Sequence, residues 1–398
     1  MPFALTGLLH ELILIIALFL AATLAAPDFA AAEDDVATLA QLATQGERAA
    51  IVKLLERART GDAEAQAQIG RLYYQGQVVQ RNYALAREWF LNAAAKDQAE
   101  AMNLLGHLYQ EGLGVEQNYA EARRWYQQAA DQGLAAAANN LGWLYLKGEG
   151  AEKQPALARE WFERAAAKDH PIALYNLGYY FAEGFGAEPD PERALTWYHK
   201  AADRGYAPAM RAIGGHYQGG QGVGQDHAEA KKWYKKAAEQ GDLEADARLG
   251  HLFQLGRGVP LDIDAARQHY ERAAKGGDPI GELFLGWLYQ QGLGVDRDFA
   301  TALAWYRKSA EQGNATAQNN IGYLYDEGLG VARDYREALA WYRKAAEQGE
   351  PAALFNIGFM YEEARGVARN TSEAFRYYRE AADRGHAEAR RLLGMAAK

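Results

Sequence analysis

One glycine recurs every 36 residues, at Gly70, Gly106, Gly142, Gly178, Gly214, Gly250, Gly286, Gly322, Gly358 and Gly394, with no insertion between any two of them. A register that strict restricts the chain to architectures that grow by adding like units. Each unit in such an array buries its apolar face only against its neighbours. The 398 residues therefore need no single large core.

Each unit reads as two helices. In the first unit Ala65, Ile69, Leu72 and Tyr73 make an i, i+4, i+7, i+8 stripe over about residues 62–75. Gly76 follows, and glycine recurs there in eight of nine units, with Ala364 as the exception; glycine supplies the left-handed backbone that closes a helix. After a loop such as Gly328-Leu329-Gly330-Val331, an Asx residue opens the second helix: Asn82, Asn118, Asp190, Asp226, Asp262, Asp298, Asp334 and Asn370. Glu121, Glu229, Glu337 and Glu373, three residues on, complete a capping-box pattern. Gln154 breaks the Asx series and is followed by Pro155. The second helix carries an alanine in all nine units, from Ala86 to Ala374, followed by aromatic pairs such as Trp89-Phe90 and Trp341-Tyr342. Small against large at fixed spacing lets helices interlock. Both members of each aromatic pair are expected in the core, as is His269, which takes the Trp position of its unit.

Residues 317–349, with Ile321-Gly322, Tyr325, Gly328-x-Gly330-Val331, Asp334, Ala338, Trp341-Tyr342, Ala345-Ala346 and Gly349, resemble the Sel-one-like repeat, a tetratricopeptide-like helix–turn–helix unit. The resemblance covers residues 62–398. It implies an all-α fold, a right-handed α-solenoid of nine 36-residue helix–turn–helix repeats with terminal capping helices, and a role as scaffold or adaptor. Some secreted relatives are disulfide-stapled and described as β-lactamase-like; this chain has no cysteine and so lacks their staples. The domain reading is a signal peptide over 1–32, a linker and capping helix over 33–61, nine repeats over 62–385 and a closing helix over 386–398.

Residues 12–26 are an uncharged apolar run, short for a membrane span and suited to a secretory signal, with Ala30-Ala31-Ala32 where a signal peptidase cuts. The first basic side chain is Arg48, so the usual positive leader is missing, and an uncleaved anchor is the alternative. Either way the repeats are expected outside the cytoplasm, periplasmic or secreted, with membrane contact only if the segment stays uncleaved.

A formal charge of −9 argues against nucleic acid as partner. Without cysteine there is no thiolate nucleophile and no Cys-ligated metal. Ser309 stands where the other units have Ala, Ser372 lies in a helix first turn, and no serine-hydrolase motif is present. Gly220-x-Gly222-x-Gly224 lies between helices with no strand before it, so it reads as loop chemistry. No catalytic residue, cofactor or metal is expected.

What stands out is the face opposite the stripe. Positions equivalent to 67 and 71 form an i, i+4 pair on the side a solenoid turns toward its groove, which should be polar. They carry Asn103, His107, Asn139, Arg211 and Asn319, but also the large rings of Trp143, Tyr175, Tyr179, Trp287, Tyr323, Phe355 and Phe359. Rings supply contact area and amides bond an extended backbone. The aromatics fall into two clusters, Trp143, Tyr175 and Tyr179, then Trp287, Tyr323, Phe355 and Phe359, separated by the unit with Arg211 and Gly215. One reading is a groove for a protein or peptide partner bound by a monomeric scaffold; the other is that adjacent first helices pack on these rings. A secreted enzyme of the lactamase-like kind and a regulator of an envelope signalling system are the competing functions.

Overall fold

The computed structural model describes residues 35–150 and 152–394. The signal segment expected over 1–32 lies outside the described residues. Within them the chain is all helical, twenty-one helices and no strand, none of them long and apolar enough to cross a membrane. The expected solenoid of nine two-helix repeats is present, in two compact units that meet after Arg204.

The first unit opens with a cap, Val36–Thr44 packed on Arg48–Arg59. Four pairs follow: Ala63–Gln75 with Tyr83–Ala94, Ala99–Glu111 with Tyr119–Asp131, Ala135–Lys147 with Pro155–Ala166, and Pro171–Glu183 with Pro191–Asp203. The second unit holds Ala207–Gly219 with His227–Glu239, Leu243–Leu255 with Ile263–Lys275, Pro279–Gln291 with Phe299–Glu311, Ala315–Glu327 with Tyr335–Glu347, and Pro351–Glu362 with Thr371–Asp383. A short helix, Ala387–Leu392, follows them, and Leu392 is 56% exposed.

The recurring glycine now has a cause. Gly106 faces the ring of Tyr126, and a Cβ there would fall 2.6 Å from the Tyr126 Cδ1. The same relation holds in every repeat, from Gly70 on Phe90 to Gly358 on Tyr378. The second aromatic of each pair is thus the true core residue: Phe90, Tyr126, Phe162, Tyr234, Tyr270 and Tyr306 are fully buried. Each buried tyrosine needs a partner for its hydroxyl. Tyr234 donates to Gln218 Oε1 at 2.6 Å, Tyr270 to Gln254 at 2.6 Å and Tyr306 to Gln290 at 2.6 Å. Phenylalanine takes the aromatic position in the repeats whose equivalent of that glutamine is Tyr74 or Leu146.

The first aromatic of each pair departs from the core expectation. Trp89 and Trp161 are buried, but Trp125, Trp197, Trp233, Trp305 and Trp341 are half-buried. A cation three residues on lies over most of these rings: Lys200 is 3.9 Å from the Trp197 centroid, Lys236 4.1 Å from Trp233, Lys308 4.1 Å from Trp305 and Lys344 4.2 Å from Trp341. The indole roofs the cleft between successive second helices, and the ammonium caps it on the solvent side.

The helix ends follow the sequence with one exception. Every Asx residue named above accepts a backbone N–H in the first turn of its helix, as Asn118 does from Glu121 at 3.1 Å. Ala364 adopts the left-handed conformation itself, at φ 55°, where the other repeats place glycine. The capping boxes do not close. The N–H they would satisfy is already taken by the preceding helix, Asn118 donating to Tyr109 O at 2.8 Å and Asp334 to Tyr325 O at 3.0 Å. The freed carboxylates turn outward instead, Glu121 to Arg124, Glu229 to Lys232, Glu373 to Arg376 and Glu337 to the Trp341 indole N–H. Ser309 is buried, its Oγ donating to Pro279 O at 2.6 Å, which is the structural role its alanine equivalents suggested.

Candidate interaction surface

The first helix of each repeat buries the expected stripe, Ala65, Ile69, Leu72 and Tyr73 in repeat one. It also buries part of the opposite face. Ala67, Asn139, Ala247 and Asn319 all lie below the surface, so in these repeats the position equivalent to 67 is taken up by packing. Successive first helices meet there. Asn176 Nδ2 donates to Asn139 Oδ1 at 2.7 Å, Asn140 to Asn103 at 3.0 Å and Asn356 to Asn319 at 2.9 Å. These amides bond each other across neighbouring repeats rather than standing ready for a ligand backbone. The partner in each case is the residue one position beyond the same site in the next repeat; the adjacent Asn139-Asn140 and Asn319-Asn320 pairs were the visible sign of it.

Tyr175 and Phe355, also at the 67 position, lean onto the core aromatic of their own repeats. Tyr175 lies 5.4 Å from the Tyr198 ring, and Phe355 5.2 Å from Tyr378 and 4.5 Å from His386. Arg211 is fixed by two carboxylates, Asp242 at 3.0 Å and Glu244 at 2.9 Å.

The position equivalent to 71 behaves differently. Arg71, His107, Trp143, Tyr179, His251, Trp287 and Phe359 are all half-exposed, and Tyr323 is 41% exposed. In the first compact unit two of these rings meet: Trp143 and Tyr179, one repeat apart, have centroids 6.1 Å apart, and Tyr179 continues onto Phe185 at 5.6 Å. Trp143 also rests edge-on against buried Phe162 at 5.8 Å. His107 Nδ1 lies 3.1 Å from the Tyr74 hydroxyl. In the second unit the rings are separately anchored. Trp287 packs on the cores holding Leu288 and Ile321, and Phe359 lies under the Arg365 guanidinium at 4.8 Å. Burial lowers the pKa of His251, which stacks 5.2 Å from Phe284 and therefore favours its neutral, ring-stacking form.

This face can hold a ligand by surface contact. It presents half-exposed rings fixed on rigid helices and one exposed tyrosine, with no convergent set of titratable groups. Among the described residues no group of three or more His, Asp or Glu is arranged to hold a metal.

The Sel1 repeat profile matches nine consecutive stretches, 63–98, 99–134, 135–170, 171–206, 207–242, 243–278, 279–314, 315–350 and 351–386. Among solved structures, a protective antigen of uropathogenic Escherichia coli strains displaying an SLR fold is 32% identical over 87% of this chain and 84% of that one, with a TM-score of 0.57. A Sel1 repeat protein from Oxalobacter formigenes is 35% identical over 63% of this chain and 100% of that one, also with a TM-score of 0.57. A comparison with curated proteins finds no match.

Proposed function

The chain belongs to the Sel1 repeat family, and from that premise we propose that it is an interaction scaffold outside the cytoplasm, holding a protein or peptide against its first helices. Proteins of this family generally mediate protein–protein interaction and are typically non-catalytic. The observation that carries the reading is the aromatic column at the 71 position. Trp143, Tyr179, Trp287, Tyr323 and Phe359 keep part of their rings in solvent. Rigid, partly exposed aromatics are what interfaces recruit as anchors. Each compact unit carries its own patch, Trp143 with Tyr179 in one and Trp287 with Tyr323 in the other, on the side a solenoid turns toward its groove. The protein acts as a monomer and needs no cofactor. The apolar run 12–26 followed by Ala30–Ala32 supports export.

The test is affinity capture from envelope extract with the parent and a Trp143→Ala/Trp287→Ala variant as baits. A partner held by the parent and lost by a variant of unchanged helicity supports the reading. Equal capture by both moves the site away from this face. A lowered melting temperature with undiminished capture in the cold makes the rings packing residues only.

A further inference from the structure

In repeat six the row of half-buried indoles is broken. His269 stands at the Trp position, and at the same repeat Asp246 occupies a first-helix position that is Gln, Met, Ala, Leu or Glu elsewhere. The two changes meet. His269 Nδ1 is 2.6 Å from Asp246 Oδ1, and Arg272 grips the same carboxylate through Nε at 2.8 Å and Nη2 at 2.8 Å. His269 is thus half-buried in a polar knot rather than in the core, and Phe253 stacks on its ring at 5.4 Å. Burial by itself would raise the Asp246 pKa; the hydrogen bonds from His269 and Arg272 outweigh it and hold the carboxyl ionised, below its ordinary value.

An imidazole is smaller than an indole, and Arg272 turns toward Asp246 instead of roofing the ring. A cavity of about 420 Å³ opens between the second helices His227–Glu239 and Ile263–Lys275. Its floor is Leu249 and Phe253, and Lys231, Lys235 and Arg272 line it together with Glu239 and Asp246. Lys231 Nζ sits 5.6 Å from the Phe253 centroid. Lys235 has only a solvent-exposed i, i+4 contact with Glu239 at 3.7 Å, of the kind that contributes little. Arg272 offsets Asp246, and Lys231 and Lys235 stand against the single carboxylate of Glu239, so the lining keeps a net positive charge. The corresponding cleft two repeats earlier, around Trp197, is lined by Glu163, Asp169 and Asp203 against Lys200 and Arg204; there Glu163 holds the place Lys235 holds here. The net positive lining between repeats five and six is therefore not shared by the Trp197 cleft.

We propose that this cleft is a second binding site, on the opposite helix row from the aromatic column, that takes an acidic side chain of a protein ligand, a glutamate best of all. The apolar floor suits a methylene stem and the lysines its carboxylate. An inorganic anion would use the lysines and leave Leu249 and Phe253 without a partner. In a chain of formal charge −9 such a pocket gives an acidic segment one favourable place to dock.

The test uses the full chain and fluorescein-labelled hexaglutamate, followed by fluorescence polarisation at low salt. The parent binds. His269→Trp, which restores the family side chain and fills the cavity, and Lys231→Gln/Lys235→Gln, which leaves the Asp246 knot intact, each weaken binding at least tenfold without lowering the melting temperature. Failure of the parent to bind, or equal binding by parent and both variants, overturns the site. Displacement of the peptide by inorganic phosphate at concentrations where free glutamate has no effect overturns the carboxylate assignment. A Trp143→Ala chain binds the peptide like the parent, so loss here and loss of the first-helix partner are separate results.

Discussion

Gly250 lies flat against Tyr270: a Cβ on Gly250 would lie 2.7 Å from Cε1 of a tyrosine ring that is itself fully buried. The ring cannot retreat, because its hydroxyl is held by Gln254 at 2.6 Å. Gly250→Ala gains about 1 kcal/mol of helix propensity and loses about 1–3 kcal/mol to overpacking. The expected net effect is a destabilisation of up to about 2 kcal/mol, read as a lower urea midpoint. A higher midpoint would mean that the ring has room and that the glycine is not a steric requirement.

The position of that glycine was legible in the sequence and its reason was not. Periodicity places Gly250 in a repeat, but only three-dimensional pairing shows Tyr270, twenty residues on, seated against it. Caps such as Asn118 and Asp334 were legible because they are local, a side chain meeting the N–H groups just ahead of it. The closed capping box was misread because its competitor is not local: the Asn118 N–H is taken by Tyr109 O of the preceding helix. The candidate face shows the same division. The 67 and 71 positions were assigned to one surface by helical geometry, yet the neighbouring repeat buries Asn139 beneath Asn176 and leaves Tyr323 in solvent. Asp246 was passed over because its significance depends on His269, twenty-three residues away.

Tyr306 and Gln290 form a pair that the sequence itself has exchanged elsewhere. In repeat three the equivalent residues are Phe162 and Leu146. Tyr306→Phe removes the donor to Gln290 Oε1 and is expected to cost about 0.5–1.5 kcal/mol. Tyr306→Phe/Gln290→Leu restores the apolar version and recovers most of that loss. A double-mutant cycle by urea unfolding checks it; strictly additive losses would show that the two side chains do not act together.

Glu282 supplies a pH dependence of definite sign. It is buried, and burial raises its pKa despite a hydrogen bond from Gln312 Nε2 at 2.9 Å. The folded chain therefore binds this proton more tightly than the unfolded chain. Its contribution to stability falls as pH rises from the ordinary glutamate range, about 4.3, through the raised value. Glutamine occupies the same position at Gln66 and Gln318. Glu282→Gln is expected to melt above the parent at pH 7.5, with the difference shrinking toward pH 4. A variant that melts below the parent at pH 7.5 would contradict the burial cost.

Asn176 ties two first helices together, and its removal is a stability experiment rather than a binding one. In Asn176→Ala the buried Asn139 Oδ1 loses its donor. Leaving such a group unsatisfied costs about 1–3 kcal/mol. The expected outcome is a lower unfolding midpoint with partner capture unchanged when assayed in the cold. Lost capture at full helicity would instead place the amide row in the ligand contact.

Tyr323 separates the two readings of the aromatic column most cleanly. Trp143 rests on Phe162, so truncating it disturbs packing as well as any ligand. Tyr323 is 41% exposed, and its truncation removes mainly solvent-facing area. Tyr323→Ala is expected to change stability by no more than about 0.5 kcal/mol, as surface substitutions do. If the ring anchors a partner, the same change weakens capture by tenfold or more, because anchors at interface centres account for most of the affinity. Thermal melting and capture measured on one preparation decide between them. A stable variant with weakened capture places the partner on the first helices of the second compact unit, whereas a stable variant with full capture removes Tyr323 from the interface.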